Sequence, residues 1–305
     1  MTDNIKGIFE HNILLLGETD KAVFYFRQQQ YDKALGIVAN FIDQIKYVVE
    51  AIITDRDYFN LVATEAVLEM LSKILDAKKN RDFILLADLL ELQLLSFLCG
   101  VQELIISKEE ILFDEDNYKE NIRILLERGK GFPEQLMEPM NSNKLMEDGY
   151  RVEFTSCGLM TLAAQNEGST FYFHSNSRVL SEAFLLAKRW YSEGKKKYIL
   201  YGFGMGYHIS QLQELAPEAD IEVYEADSNI IQLACAFTDV KEILKKDHTK
   251  LIYDPQFQLL SKRISSLHQE EALVIHYPSF KNIRSKEGRE LLEKEIPWSK
   301  AIESC

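Results

Sequence analysis

Residues 198–208 read Tyr198-Ile199-Leu200-Tyr201-Gly202-Phe203-Gly204-Met205-Gly206-Tyr207-His208, and this stretch decides the fold of the second half of the chain. Four apolar residues have the length and composition of a buried parallel strand. The glycines let the backbone turn sharply and let a ligand approach within contact distance. A helix is expected from Tyr207 to Leu215, stopped before Pro217, and its first amides favour an anionic or polar group. The second strand, Ile221 to Glu225, ends in an acid 23 positions beyond Gly202, close to the ~20 at which a carboxylate accepts the hydroxyls of a ribose. Glu225 also reads as an exposed acid near the start of a helix over 228–237, where the helix dipole favours it. The glycine spacing is GxGxG. Tyr207 stands where the dinucleotide fingerprint has its third glycine, which points away from NAD and toward another nucleoside-type ligand.

Outward from this core, Lys250 to Asp254 and Ala272 to Pro278 read as a third and a fourth parallel strand. Ligands in such sheets bind beyond the carboxyl ends of the strands. The candidate ligand-binding set is therefore Gly202, Phe203, Gly204, Gly206, His208, Glu225, Ala226, Asp254 and His276. Asp254, before Pro255, reads equally well as a turn residue, and His208 as a packed histidine. A nucleophile elbow is missing, so catalytic residues are unassigned. No metal motif is present, and no metal is expected. Tyr150 to Phe154 and Ser169 to Phe173 alternate as short antiparallel strands around Asn166-Glu167-Gly168, and a helix follows over Ser181 to Tyr191.

From about Lys21 to Arg128 there is no proline, and apolar residues recur at helical spacing, as in Ala34, Ile37, Val38, Phe41, Ile42 and Ile45;. Breaks are expected near Gln30, with Asp32 capping the next helix, near Thr54 to Asp57, near Lys78 to Asn80, and near Ser107 to Asp116. Residues 1–130 therefore read as a bundle of four or five helices. Tyr31-Asp32-Lys33-Ala34-Leu35 is similar to the opening of a tetratricopeptide hairpin, but no second copy follows at the ~34-residue period. The stretch Phe83 to Leu92 reads as a central helix, with an interface helix as the alternative. Gly129 to Gly149, with Pro133, Pro139 and Asn141-Ser142-Asn143, reads as a linker, so the division is a bundle over 1–130, a linker over 131–149 and an α/β domain over 150–305.

The length of 305 residues suits two domains, each with its own core;. A formal net charge of -13 makes nucleic acid and anionic membrane surfaces poor partners;. Cys99, Cys157, Cys235 and Cys305 form no CxxC pair, and read as reduced thiols of a cytoplasmic protein. The start has no secretory pattern, and no uninterrupted apolar run reaches the ~18 residues of a membrane span.

The run from Tyr198 to Ala234, with Glu225-Ala226-Asp227 before a helix, resembles the cofactor-binding half of class I S-adenosylmethionine-dependent methyltransferases and spermidine synthases. That family carries an acid where this chain has Leu200, two positions before the first glycine. An acid just after the fourth strand, as in spermidine synthases, is also lacking, which disfavours aminopropyl transfer. A second resemblance covers more of the chain. His174-Ser175, Ser181-Glu182-Ala183 and Tyr201 to His208 are similar to the N-terminal region of the motility accessory factor family, bacterial proteins implicated in flagellin glycosylation. In that family a further domain, beyond where this sequence ends, is assigned sugar transfer from an activated nonulosonic acid.

These resemblances imply a Rossmann-like, methyltransferase-like, mostly parallel sheet preceded by a short antiparallel hairpin. They further imply a nucleotide- or nucleoside-binding accessory module of a glycosylation system, with S-adenosylmethionine or a nucleotide sugar as ligand and a protein partner for the helical half. The alternatives are an S-adenosylmethionine-dependent methyltransferase and a non-enzymatic interaction protein with a degenerate pocket. If the chain is an enzyme, a transferase is expected.

Overall fold

The computed structural model describes residues 1–109, 114–133, 136, 141–166 and 168–296. Pro139 in the expected linker, Glu167 in the expected turn, and Cys305 lie outside the described residues. The chain divides into two compact units, one of Met1–Leu112, Phe154–Leu159 and Ser177–Ser181, the other of Phe113–Glu153, Met160–Asn176 and Glu182–Cys305.

The first unit is helical. Helix α1 (Asp3–Arg27) starts at a Thr2 cap and α2 (Tyr31–Thr54) follows after a turn at Gln30. Asp32 lies in the first turn of α2 and not at its cap, which is Gln30 with no side-chain bond. Helix α3 (Thr64–Lys79) leads to α4 (Phe83–Leu89), a π-helical turn (Leu90–Leu94) and α5 (Lys108 at its end, Leu95–Lys108). Ile8, Leu15, Val38, Phe41, Val48, Leu86, Leu90 and Leu98 fill the core. Asn12, buried on α1, donates to the Leu98 carbonyl at 2.7 Å and to Gln102 Oε1 at 3.1 Å, while Gln102 donates to the Phe9 carbonyl at 3.1 Å. Each buried amide thus ties α1 to α5.

Phe83–Lys108 is buried on one side only. Leu86, Leu90 and Leu94 are in the core, but Ile84 is 71% exposed and Leu92 68% exposed. Read as one helical stretch, it is long and apolar enough to cross a membrane, with a mean hydropathy of 1.9 over an 18-residue window of which less than half is buried. It does so by length and composition only, a test that the core helix of a soluble protein also passes. Counting uninterrupted apolar runs overlooks a helix whose apolar character survives Asp88 and Glu91.

The second unit is mixed α/β. It opens with α6 (Glu115–Arg128) and α7 (Ser142–Glu147). Although the sequence places α6 with the bundle, its Tyr118, Ile122, Ile124 and Leu125 join the core of this unit. A three-stranded sheet follows, β1 (Tyr150–Phe154), β2 (Met160–Asn166) and β3 (Ser169–Tyr172), in that order across the sheet, with β2 and β3 antiparallel. Strand β2 was not expected, because Ala163 and Ala164 give it a weak β signal.

Then come α8 (Val179–Trp190), β4 (Lys197–Tyr201), α9 (Tyr207–Leu215), β5 (Asp220–Glu225), α10 (Ser228–Phe237) and α11 (Val240–Leu244). The series ends with β6 (Thr249–Tyr253), α12 (Gln258–Ser265), β7 (Glu271–Ile275), α13 (Tyr277–Lys281) and α14 (Lys286–Glu293). Strands β4 to β7 form one parallel sheet in the order β6-β5-β4-β7.

Side-chain alternation builds a core on each face of this sheet. Tyr198, Leu200, Val223, Leu251 and Val274 pack with apolar residues of α6, α9 and α10. Ile199, Tyr201, Tyr224 and Ile252 pack with Phe257, Leu260, Ile283 and Leu292. Two buried faces explain why the strands read as near-continuous apolar runs. Beyond β6, Lys130 continues the ladder, donating its amide to the Leu251 carbonyl at 3.0 Å and accepting from the Tyr253 amide at 2.9 Å.

Candidate functional site

The strand order reverses beside β4, because β5 and β6 lie to one side of it and β7 to the other. The crevice beyond the carboxyl ends of the strands at such a point is where parallel sheets place ligands. The glycine loop leaves β4 there. Gly202, Gly204 and Gly206 adopt φ of +102°, +51° and +82°, conformations that side-chain-bearing residues rarely enter;.

The loop amides are already engaged. Gly202 donates to the Tyr224 carbonyl at 2.8 Å, Phe203 to Glu225 Oε2 at 2.9 Å, Met205 to His174 Nε2 at 3.2 Å and Gly206 to the Phe203 carbonyl at 2.9 Å. These four loop amides are satisfied inside the protein.

Side chains fill the space over the loop. A Cβ built on Gly204 would lie 3.0 Å from His174 Nε2 and 3.1 Å from His276 Cε1, and one on Gly202 would lie 2.3 Å from Ser279 Cβ. The pairing of Tyr201 with Ile275 brings His276, just past β7, beside the loop. His208 comes from the first turn of α9, and His174 from just past β3. All three imidazoles are buried. The His208 and His276 rings stack at 4.3 Å and 12°, and His174 lies 5.0 Å from His276.

Each imidazole has one nitrogen bonded and one without a partner. His208 Nε2 meets the Gly202 carbonyl at 3.1 Å and His276 Nδ1 the Ser279 hydroxyl at 2.8 Å, while His174 Nε2 takes the Met205 amide. Nδ1 of His174, Nδ1 of His208 and Nε2 of His276 are buried and unpartnered. The Phe173 carbonyl favours the protonated form of His276 slightly without reaching hydrogen-bond geometry at Nε2. An unmet buried polar atom costs about 1–3 kcal/mol. Burial pushes His208 down to about 4, and burial together with the neighbouring imidazoles holds His276 well below the usual histidine range. Burial, then His208, does the same to His174. All three are neutral at pH 7.

Glu225 is buried rather than exposed. Its Oε2 accepts from Phe203, and its Oε1 from the Ala226 amide at 2.9 Å and the Asp227 amide at 3.1 Å. Burial still outweighs these donors and pushes its pKa up to about 7;. It lines a pocket of about 310 Å³ with Asp227, Tyr150, Tyr201, Tyr253, Phe257, Asn282 and Arg284. Asn282 donates to Asp227 Oδ2 at 2.9 Å and to the Tyr150 hydroxyl at 3.1 Å, and Tyr150 itself donates to Asp227.

The family model described as a domain of unknown function (DUF8042) matches residues 6–104. No curated protein and no solved structure matches. The matched third of the chain belongs to the helical first unit, so the pocket and the histidines of the second unit must be read from their own chemistry.

The expected site residues divide into two groups. Gly202, Gly204, His208 and His276 form the filled crevice, Gly206 packs against Ile243 and Phe203, and Phe203 lies in the core of the sheet's α6–α9–α10 face. Glu225 and Ala226 line the pocket. Asp254 joins neither, because its two carboxylate oxygens accept the Gln258 amide at 3.0 Å and the Leu260 amide at 2.8 Å, which holds the start of α12. In the sequence His174 stands out only through a family resemblance, and Asp227, Tyr150 and Arg284 carry no signal of ligand contact. His174 sits outside any regular element, and Tyr150 and Arg284 reach the pocket from distant parts of the sequence.

Proposed function

We propose that the second unit is a Rossmann-like, methyltransferase-like module that binds a nucleoside-containing small molecule beyond β5 and β6, as an accessory module of the motility accessory factor type. The pocket beside Glu225 carries this reading. Its volume of about 310 Å³ is at the lower end for small-molecule sites, enough for a nucleoside moiety;. Asp227 and Glu225 offer carboxylate acceptors for ribose hydroxyls, Tyr253 and Phe257 offer aromatic surface for a base, and the exposed Arg284 offers a guanidinium for a phosphate;. That last feature favours a nucleotide sugar over S-adenosylmethionine. The crowded glycine loop fits binding without methyl transfer, and the reading places the protein in the cytoplasm.

A thermal-shift and calorimetric panel of S-adenosylmethionine, cytidine and uridine nucleotide sugars and NAD tests it. A ligand at 100 times its dissociation constant stabilises by about 2.7 kcal/mol. Arg284→Ala, at an exposed position, is expected to weaken nucleotide binding about tenfold while sparing the nucleoside, and Glu225→Ala to weaken both. Folded wild-type protein that binds none of the panel refutes the proposal.

A second reading, an interaction protein acting through its helical unit, draws on a groove of about 640 Å³ in that unit, lined by Leu61, Val67, Met70, Phe97 and Leu104. Leu61 itself is 79% exposed.

A further inference from the structure

The group over the glycine loop consists of histidines alone, and one nitrogen of each lies within 4.8 Å of the others. Three buried imidazoles that each leave a nitrogen unpartnered call for a ligand to meet them;. The other nitrogen of every ring is anchored from outside the group, by the Met205 amide, the Gly202 carbonyl and the Ser279 hydroxyl. For His208 and His276, an outer bond that can take the N–H of the other ring nitrogen is how proteins aim metal-ligating imidazoles;.

We propose that His174, His208 and His276 bind a late first-row divalent transition metal ion of the zinc, nickel and copper class. Neutral imidazoles suit these ions, whereas magnesium and calcium require oxygen ligands. Three histidines with an open fourth position form a known zinc arrangement.

His208 is ready as it stands. A carbonyl only accepts, so Nε2 carries the ring proton and Nδ1 presents a lone pair. The hydroxyl partner of His276 can accept from Nδ1, which frees the Nε2 lone pair. His174 differs, because Nε2 receives the Met205 amide and the proton of the neutral ring is therefore on Nδ1. It enters the coordination shell by turning its ring, which gives up the Met205 amide and brings the Nε2 lone pair to the ion;.

Ligand atoms at 2.0–2.1 Å from a tetrahedral ion stand roughly 3.3 Å apart. One nitrogen of each ring already lies within 4.8 Å of the others, so a set brought onto one ion draws together by up to about 1.5 Å, more where a ring must turn to present its free nitrogen. Parallel rings cannot aim both lone pairs at one ion, so binding unstacks His208 from His276.

The test uses the whole chain, stripped with a chelator and equilibrated with Co²⁺ or Zn²⁺ in the absence of nucleotide, so that its outcome is separate from that of the pocket beside Glu225. One bound equivalent is expected, with the visible ligand-field bands of a four- or five-coordinate Co²⁺ ion. His276→Gln and His174→Gln should abolish the bands. Ser279→Ala, which removes only an outer anchor, should weaken binding 10- to 100-fold. Replacing the three histidines outside the group, His11, His248 and His268, by Gln should leave binding unchanged. Folded wild-type protein that takes up neither ion overturns the proposal. So does uptake that survives His276→Gln or is lost in the triple variant.

Discussion

Acidification of metal-free protein from pH 7.5 to pH 4.5 probes the histidine group directly. In the unfolded chain His208 titrates near 6.5, but in the fold burial pushes it down to about 4. Between those values the unfolded chain binds a proton that the folded chain refuses. The contribution of His208 is therefore complete above pH 6.5 and is lost as pH falls toward 4. At about 1.4 kcal/mol per pKa unit the loss is about 3 kcal/mol, a large share of the 5–15 kcal/mol that holds a typical domain. His174 and His276 act in the same direction.

Glu225 opposes them. Burial raises its pKa from 4.5 to about 7, so the fold keeps a proton that the unfolded chain sheds. Its contribution is complete below pH 4.5 and is lost as pH rises through 7, again by about 3 kcal/mol. Within the site, three imidazoles against the carboxyl of Glu225 leave a net loss of stability on acidification, and Glu182 and Asp20, also raised by burial, act on the side of Glu225. Urea unfolding followed by near-ultraviolet circular dichroism should show a wild-type midpoint that falls below pH 6.5, and a steeper fall in Glu225→Gln. A wild-type midpoint that stays level or climbs as pH drops from 6.5 to 4.5 would refute the reasoning.

Two further outcomes are expected of the same unit. Gly202→Ala forces a side chain into φ +102° and against Ser279, and should destabilise by at least 1–2 kcal/mol in urea titrations. Asp254→Ala removes both amide contacts at the start of α12. It should cost about 1–2 kcal/mol in the same assay, with ligand affinity in calorimetry unchanged.

Much of the architecture is legible in the sequence because local patterns dictate it. The apolar run at 198–201, the glycines after it, and Pro217 place strand, loop and helix without reference to the rest of the chain, and the helical spacing over Ala34 to Ile52 places α2. Strand β2 is harder to see, since alanines at 163 and 164 carry little β preference. The π-helical turn at Leu90–Leu94 has no local signal, because packing rather than composition inserts the extra residue. The site is legible only in parts. His208 and His276 stand at element ends where ligands are expected, but their meeting depends on β4 lying beside β7. Glu225 could be picked out by spacing. Its engagement by three amides depends on how the glycine loop folds back toward it.

The parallel sheet has two edges of unequal character. At β6, Lys130 occupies the outer ladder positions with its own amide and carbonyl. At β7, no strand pairs with the outer edge among the described residues. Among the described residues the freer edge is therefore that of β7, and a strand supplied by another polypeptide would add there beside Glu271–Ile275. Such an addition would lie next to the strand that delivers His276, so assembly on that edge would be felt at the histidines before it was felt at Glu225.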